Sequence, residues 1–455
     1  MNAAGPAGIA GLIDRRFRLR EQGTTIRTEI LAGASTFLGL TYIIFVQPAI
    51  LSTTGMDFGA VLVATCLASA LATLIMGLYA NYPIALAPGM GHNVYFAFTV
   101  CGAVAAGGMG VPWRTALAAV CVSGLVFLAL ARVGFRERLL NAIPDSQKRA
   151  IAVGIGLLIA SVGLQWAGLV VAKPGVLVGL GSLGAPPVLL SLFGLTVTTV
   201  LLARGHRAAI LVGMLATVVA GLPLGLVTYH GLVSAPPSIA PTLLQLDFPG
   251  LLTQTGLLVV VAFFFLALFD TIGTLVAVGQ QAGFLRDGKL PRAEKALAAD
   301  AAGMTAGALL GTSSIVCYIE SAVGISAGGR TGLASVVTAG LFLAALFFAP
   351  LAKMIGGGLV TPEGAHLYPV IAPALILVGS FMLEGVKTIP WHDPTEAIPA
   401  FFTIVLMPLT GSITDGLTFG FAAYTVLKLV TGRLADAHWM IYVFAALLVM
   451  RYAAQ

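Results

Sequence analysis

Charged side chains are scarce in this chain. Asp, Glu, Lys and Arg make up 9% of its 455 residues, whereas hydrophobic residues make up 58%. An ordinary soluble protein carries about 25% charged residues. The shortage excludes a soluble domain and predicts an all-α polytopic protein whose main partner is the lipid bilayer. The formal net charge of +6 is then not a nucleic-acid signal, and we expect no nucleic-acid partner.

Several chemical motifs are also missing. The four cysteines lie in or beside apolar segments without a CxxC or Cys/His spacing, so we expect neither disulfides nor a metal. The chain has no HExxH sequence, no GKS or GKT phosphate loop and no nucleophile–base constellation. The basic N-terminal stretch lacks the apolar length of a secretory signal. These absences predict a protein that is not an enzyme and carries no cofactor.

Apolar segments fill most of the sequence, and we count fourteen of them as membrane segments. A fifteenth stretch, residues 438–452, is too short for a comfortable span, so it either lies at the membrane interface or caps the bundle. The fourteen segments cover residues 28–50, 59–80, 84–100, 112–132, 149–170, 186–203, 208–228, 254–279, 296–311, 315–326, 332–352, 367–383, 396–410 and 412–431.

The basic residues predict the orientation. If the N-terminus is cytoplasmic, most of the 24 Lys and Arg residues fall on the cytoplasmic side, and Arg114, Lys173 and Lys353 fall outside. Such a bias is typical of multi-pass membrane proteins. It predicts a protein of the inner (cytoplasmic) membrane with both termini in the cytoplasm.

Fourteen segments divide into two halves of seven. An odd number per half forces the halves to be inverted in the membrane, which is typical of secondary transporters with a site between broken helices. The third segment of each half is interrupted, PIALAPGMGHNVYFAF (83–98) in one and SSIVCYIESAVGIS (313–326) in the other. Proline and glycine cannot continue a helix at Pro88–Gly91. We therefore expect two half-helices that begin at a common point near the bilayer midplane.

Two carboxylates lie at membrane depth. Asp270 follows the apolar run Gly256–Phe269, and Glu320 lies within the interrupted segment 313–326. A charge at this depth costs about 2.5–3.5 kcal/mol by insertion scales. A residue kept at that cost usually faces a cavity and contacts a solute or a proton. The alternative is a polar group bonded to a neighbouring helix.

Five stretches of the chain carry a resemblance to a known family. They are RTEILAGASTFLGLTYIIFVQPAILS, LYANYPIALAPGMGHNVYFAFTV, LFDTIGTLVAVGQQAGFLRDGKLPRAEKALAADA, ALLGTSSIVCYIESAVGISAGGRTGLASVV and TEAIPAFFTIVLMPLTGSITDG. The combination of NYPIALAPGMG, FDTIGT and YIES is highly specific. On these residues the chain resembles the AzgA-like adenine/guanine/hypoxanthine permeases of the nucleobase–ascorbate transporter superfamily, and the resemblance covers roughly residues 15–452.

The resemblance implies a seven-plus-seven inverted repeat with a core domain and a gate domain. It also implies proton-coupled purine uptake, an elevator-like movement of the core against the gate, and a homodimer formed through the gate domain. The boundaries that follow are 1–27 for a cytoplasmic N-terminus, 28–132 and 254–352 for the core domain, 149–228 and 367–431 for the gate domain, and 432–455 for a short C-terminal helix.

The family pattern also implies site residues. Asp270 of FDTIGT, Glu320 of YIES and Asn93 of the PGMGxN motif are the expected substrate ligands, with Gly91 of the same motif beside them. Thr274 lies one helical turn after Asp270, where related uracil transporters place a histidine. Ser321 replaces an asparagine that is common after the acid.

His92 departs from the family pattern, which has Leu or Thr there. We interpret it as a structural or pore-lining residue, although a local change in gating or specificity stays open.

A purine suits these residues chemically. It is a flat disc with donors and acceptors on its edge, and it needs apolar faces and a few polar groups. Carboxylates accept N–H bonds, and Asn93 can both donate and accept. Tyr95, Phe96 and Tyr318 could stack on the ring or simply pack the core.

Asp270 and Glu320 are also the candidates for proton coupling, because a buried carboxyl group can exchange a proton near neutral pH. We expect Glu320 to contact the substrate and Asp270 to bind both substrate and proton, although the roles can be exchanged. The competing hypothesis is an anion transporter or channel of the same fold, which two ionised acids would oppose.

Overall fold

The computed structural model describes residues 8–104, 108–132, 144–173, 175–284, 290–361, 364, 366–436 and 438–453. Residues 1–7, 105–107, 174, 285–289, 437 and 454–455 of the predicted segments and domains lie outside the described residues. The α-helices are α1 Ile9–Phe17, α2 Ile26–Leu40, α3 Ile43–Ser52, α4 Phe58–Ile75, α5 Met90–Val94, α6 Trp113–Arg132, α7 Asp145–Trp166, α8 Pro186–Ala203, α9 Ala209–Gly221, α10 Gln254–Gln281, α11 Ala293–Leu310, α12 Ser321–Ser326, α13 Gly332–Ala345, α14 Ala349–Gly356, α15 Ala372–Met382, α16 Pro394–Thr410, α17 Ile413–Val430 and α18 Trp439–Ala453.

Short π and 3₁₀ segments extend or join these helices, and six short strands form three antiparallel pairs, β1 with β4, β2 with β3 and β5 with β6. The π segments are Met76–Ala80 after α4 and Tyr95–Val100 after α5. The 3₁₀ segments are Pro249–Leu252, Leu346–Phe348, Leu383–Thr388 and Leu434–Asp436. The strands are β1 Leu86–Pro88, β2 Val170–Lys173, β3 Val176–Leu180, β4 Ile315–Cys317, β5 Leu359–Val360 and β6 His366–Leu367.

Within the described residues, eight helical stretches are long and apolar enough to cross a membrane, and α9 and α16 are shorter apolar helices. The predicted all-α polytopic membrane fold is therefore confirmed. Within the predicted apolar segment 208–228, the helix α9 ends at Gly221, and Pro223 follows. The eight stretches are Ile26–Ser52, Phe58–Ala80, Trp113–Ala131, Asp145–Trp166, Pro186–Ala203, Gln254–Gln281, Gly332–Gly356 and Ile413–Val430.

Helix packing brings together segments that are far apart in sequence. α11 packs against α6 and α4, and α13 packs against α2 and α4. Elsewhere α16 packs against α7 and α17, and α15 packs against α7. The boundaries predicted for a core domain and a gate domain stay predictions.

Glycines allow the closest of these helix approaches. A Cβ added to Gly332 would lie 2.0 Å from the Gly77 carbonyl oxygen, and one added to Gly33 would lie 2.4 Å from the Ala334 oxygen. Small residues have this role in membrane proteins because the hydrophobic effect adds little between helices in lipid. α13 is consequently held tightly between α2 and the π segment that extends α4.

The C-terminal helix α18 packs on the bundle. Ile441 is fully buried. The rings of Phe444 and of Phe265 on α10 pack edge-to-face with their centroids 4.2 Å apart. α18 also packs along α17. Of the two possibilities for residues 438–452, the contacts favour the helix that caps the bundle.

A buried carboxylate holds the start of α13. Glu29 on α2 is fully buried and accepts hydrogen bonds from the backbone N–H groups of Arg330 (2.8 Å), Thr331 (3.3 Å) and Ala334 (3.2 Å). The first N–H groups of a helix have no partner within the helix. A negative charge at this end also interacts favourably with the helix dipole.

We expect Glu29→Ala to lower the melting temperature of the purified protein by several degrees. The substitution leaves buried N–H donors unsatisfied, and each costs about 1–3 kcal/mol. Thermal unfolding in detergent measures the effect, with the exposed residue Glu21 as the matched control in Glu21→Ala. A melting temperature equal to that of Glu21→Ala would contradict the capping role.

Candidate functional site

Two short buried strands, β1 and β4, meet in the middle of the bundle, and we call this pair of strands the crossing. α11 ends at Gly311, whose φ of 97° suits glycine, and the chain then enters β4. β1 and β4 pair antiparallel with Leu86 opposite Cys317 and Pro88 opposite Ile315. The pairing satisfies backbone groups that the broken segments leave without a helix, as membrane depth requires. The sequence predicted the breaks but not the strand pairing.

Polar side chains brace this crossing. The Thr73 hydroxyl bonds both the N–H and the carbonyl of Leu86, and the Ser321 hydroxyl accepts from the Ala85 N–H at 3.0 Å. The Tyr318 hydroxyl donates to the Pro88 carbonyl. Tyr318 therefore contacts β1, and Ser321 contacts the residue just before it; both are predicted substrate ligands.

Asn93 is fully buried within a second set of polar contacts. Its side-chain oxygen accepts a hydrogen bond from the Ser313 hydroxyl. Gln47 donates to the hydroxyls of Thr312 and Ser313, at 3.0 Å each. These bonds tie α5 and α3 to the residues that precede β4. The structure therefore places Asn93 where it positions the crossing, and its substrate contact stays a prediction.

The two membrane acids lie beside the crossing and close enough to interact electrostatically. Asp270 lies within α10, and 43% of its side-chain surface is exposed. Glu320 immediately precedes α12 and is half-buried. The structure thus brings together two carboxylates that lie 50 residues apart in sequence, one on a continuous helix and one on a broken segment.

Tyr42 binds Glu320 directly. Its hydroxyl donates to Glu320 Oε1 at 2.6 Å and also faces the hydroxyl of Tyr318. The ring is only 2% exposed and lies at the break between α2 and α3. Sequence analysis missed Tyr42, because a tyrosine within an apolar span looks like core. The weak signal was the polar pair Thr41–Tyr42 in the middle of a predicted span.

The remaining predicted ligands are Thr274 on α10, Gly91 on α5 and Phe96 on the π segment after α5. Thr274 is 7% exposed, one turn after Asp270. Gly91 lies against α7, since an added Cβ would be 2.6 Å from the Cγ2 atom of Ile155. Phe96 is fully buried, with its ring centroid 6.2 Å from that of Phe263.

Tyr95 packs edge-to-face on Phe263 at 5.1 Å. Of the two possibilities left open for Tyr95 and Phe96, their contacts favour core packing.

His92 faces Asp270. Its Nδ1 atom lies 3.6 Å from Asp270 Oδ2, and the imidazole is 3% exposed. The two groups are adjacent, although the separation exceeds a hydrogen bond.

A separate cavity of about 430 Å³ lies away from the acids. Its lining includes Ser146, Arg149, Glu396 and Tyr424. Beside it, the fully buried Lys428 bonds Glu396 at 2.7 Å. This charged network joins the ends of α7, α16 and α17, and no predicted ligand lines the cavity.

Solved structures show the class of fold. The transmembrane domain of the cyanobacterial bicarbonate transporter BicA superposes with a TM-score of 0.62 at 16% identity, covering 85% of this chain and 96% of that domain. SLC26A9 superposes with a TM-score of 0.58 at 11% identity, covering 95% of this chain and 72% of that chain. The fold is therefore one that membrane transporters use, and identities this low show the fold alone.

Sequence comparisons show the family. The Permease family model Xan_ur_permease matches residues 27–419. A putative permease of Methanocaldococcus jannaschii is 51% identical over 98% of this chain and 99% of its own length. The adenine permease AdeP of Escherichia coli is 42% identical over 97% of this chain and 96% of its length. The guanine/hypoxanthine permease PbuG of Bacillus subtilis is 42% identical over 94% of this chain and 96% of its length. The chain belongs to this permease family, and the resemblance to AzgA-like permeases of the nucleobase–ascorbate transporter superfamily is confirmed.

Proposed function

We propose that this protein is a proton-coupled symporter that imports purine nucleobases such as adenine, guanine and hypoxanthine across the inner (cytoplasmic) membrane. The proposal depends on one observation: Asp270 and Glu320 lie close together beside the paired strands β1 and β4. The names of AdeP and PbuG support the substrate class.

We assign Glu320 as the residue that accepts hydrogen bonds from the N–H groups on the edge of the purine. One carboxylate oxygen already accepts from Tyr42, and this bond holds the group in place. The remaining acceptor positions suit a purine ring N–H or an exocyclic amine. Thr274 lies within a turn of Asp270 and can contribute a hydroxyl. Gly91 lets α5 approach Ile155 of α7 closely, and as a proposed ligand it would present backbone groups to the base.

Asp270 is the proposed proton site and a second substrate ligand. Its side chain is the more exposed of the two acids, so a proton and a solute can both reach it. Glu320 nearby makes two simultaneous negative charges unfavourable, because like charges in a low dielectric repel strongly. Binding a proton together with a neutral base removes that repulsion, which couples the two events.

The proposed function includes an elevator-like movement of the core domain against the gate domain. α5 and its π extension contact α7 through Gly91 and Ile155, and they contact α17 where the Tyr95 hydroxyl lies 3.5 Å from that of Thr414. These contacts are small and lack ion pairs among the described residues. We propose that segments 28–132 and 254–352 slide as an elevator against 149–228 and 367–431.

We also propose that the protein is a homodimer with both termini in the cytoplasm.

Anion transport is the second candidate function, because BicA and SLC26A9 share the fold. The two neighbouring carboxylates oppose an anion at this position. A proton site and a neutral substrate suit them better.

We expect hypoxanthine, guanine or adenine to raise the melting temperature of the detergent-purified protein, while uracil, chloride and bicarbonate serve as comparisons. A ligand at a hundred times its Kd stabilises the folded state by about 2.7 kcal/mol. Glu320→Gln should remove the purine effect without altering the melting temperature of the free protein by more than a few degrees. Stabilisation by bicarbonate and by no purine would favour the anion hypothesis.

A further inference from the structure

His92 occupies an unusual position beside the site. It is the third residue of α5, it is buried, and neither ring nitrogen makes a hydrogen bond to any described residue. Buried polar groups in folded proteins nearly always have a partner, so one without a partner calls for an explanation. The polar side chain facing it is the Asp270 carboxylate, 3.6 Å from Nδ1.

The surroundings fix the imidazole in this orientation. A Cβ added to Gly89 would lie 2.5 Å from Nδ1, so the ring rests against the Gly89 backbone and needs glycine there. The Leu266 carbonyl, one turn before Asp270 on α10, faces the ring without meeting hydrogen-bond geometry. The ring is therefore held between the start of α5 and one face of α10.

A small movement would complete the bond. An N–H···O bond is typically about 2.9–3.0 Å long, so the gap between Nδ1 and Oδ2 exceeds it by little more than half an ångström. His92 and Asp270 both lie in the segments proposed to move together, so the elevator movement itself leaves them adjacent. A local shift of the two side chains within the site is enough to form the bond.

We propose that His92 is a positioning residue for Asp270, which it holds by an Nδ1–H···Oδ2 hydrogen bond when a purine occupies the site. This inference rests on the proposed function and deepens it. The bond fixes the carboxyl group through Oδ2 and turns Oδ1, which carries the coupled proton, toward the substrate. The charged group that faces His92 from α10 is Asp270. Glu320 and Tyr318 interact electrostatically with that carboxyl group, and Tyr42 bonds Glu320. α7 presents the apolar Ile155 to the neighbouring Gly91.

Two substitutions separate positioning from simple packing. His92→Leu removes the donor and keeps an apolar side chain, whereas His92→Asn places an amide nitrogen near the position of Nδ1. We expect His92→Leu to raise the KM for purine uptake about fivefold, as the loss of one hydrogen bond between neutral groups would. Vmax should stay within about twofold, and His92→Asn should restore KM to within about twofold of the wild type.

The pH dependence of purine uptake separates the two roles, because a loss of packing alone would not shift it. A donor bonded to the ionised carboxylate favours ionisation, so its loss extends proton binding to higher pH. In His92→Leu the pH at which uptake falls to half should rise by about one unit, and in His92→Asn it should stay near that of the wild type. Equal KM and equal pH profiles in His92→Leu and the wild type would overturn the proposal, and so would a His92→Asn variant as impaired as a stable His92→Leu.

An infrared measurement tests the contact without transport. The carbonyl stretch of protonated Asp270 can be assigned by its loss in Asp270→Asn, and His92→Leu should raise the pH at which the band appears. If the wild type moves no purine, the proposed function fails, while the band still decides whether His92 acts on Asp270. If His92→Leu does not fold, His92→Gln replaces it. Its amide reaches the position of Nε2, so a wild-type band and a wild-type KM in His92→Gln would then overturn the inference.

Discussion

Replacement of Glu320 by glutamine should reduce purine uptake at least about a hundredfold, with little loss of folded protein. Glutamine keeps the size of the side chain but replaces one acceptor oxygen with an NH₂ donor. A donor would then face either the Tyr42 hydroxyl or the N–H groups of the base. Hydrogen bonds to charged groups contribute about 1.5–3 kcal/mol each, and the loss of two accounts for a hundredfold effect. Uptake of radiolabelled hypoxanthine into proteoliposomes measures it.

Two further variants sharpen this result. Glu384→Gln changes an exposed glutamate on the 3₁₀ segment Leu383–Thr388 and should leave uptake unchanged. Tyr42→Phe removes the hydroxyl that donates to Glu320 and faces Tyr318, and it should have an intermediate effect, mainly on KM. Full activity of a folded Glu320→Gln protein would mean that Glu320 is a structural acid bonded to Tyr42 and not a substrate ligand.

Asp270→Asn should uncouple transport from the proton gradient. With one proton per purine, an inward gradient of one pH unit can drive about tenfold accumulation, since a tenfold ratio corresponds to about 1.4 kcal/mol. Asparagine keeps the shape and a hydrogen-bonding oxygen but cannot take up a proton. We therefore expect the accumulation ratio to fall to about one, measured as internal over external purine at steady state.

Exchange of internal for external purine distinguishes uncoupling from collapse of the site. Asp270→Asn should retain measurable exchange, because a neutral side chain mimics the protonated acid. Asp145→Asn, at a carboxylate that is 76% exposed, is the matched control and should accumulate purine normally. Full proton-driven accumulation by Asp270→Asn would remove Asp270 from the coupling mechanism and transfer the role to Glu320.

The sequence was sufficient for the fold class and for the two acids. Asp270 and Glu320 stand out because carboxylates are rare at membrane depth. The break follows from Pro88 and Gly89, whereas Gly91, which the sequence also placed in the break, is the second residue of α5. These are local properties, and each can be recognised within a few residues of the chain. The family resemblance then gave the residue types expected around them.

What the sequence could not show depends on contacts between distant residues. The pairing of β1 with β4 joins three-residue strands more than 200 residues apart, too short to have a periodic pattern. The same distance separates Asn93 from Ser313, so the hydrogen bond between them could not be anticipated. Tyr42 and His92 gain their significance only from Glu320 and Asp270, which the fold brings beside them.

The most direct test of the account is uptake of radiolabelled hypoxanthine by the wild-type protein in proteoliposomes under an imposed inward proton gradient, with and without an uncoupler. The proposed mechanism predicts accumulation above the external concentration that collapses when the uncoupler dissipates the gradient. Uptake that only equilibrates and ignores the uncoupler would contradict proton coupling. No purine uptake under any gradient, with bicarbonate transported instead, would contradict the purine site formed by Asp270 and Glu320.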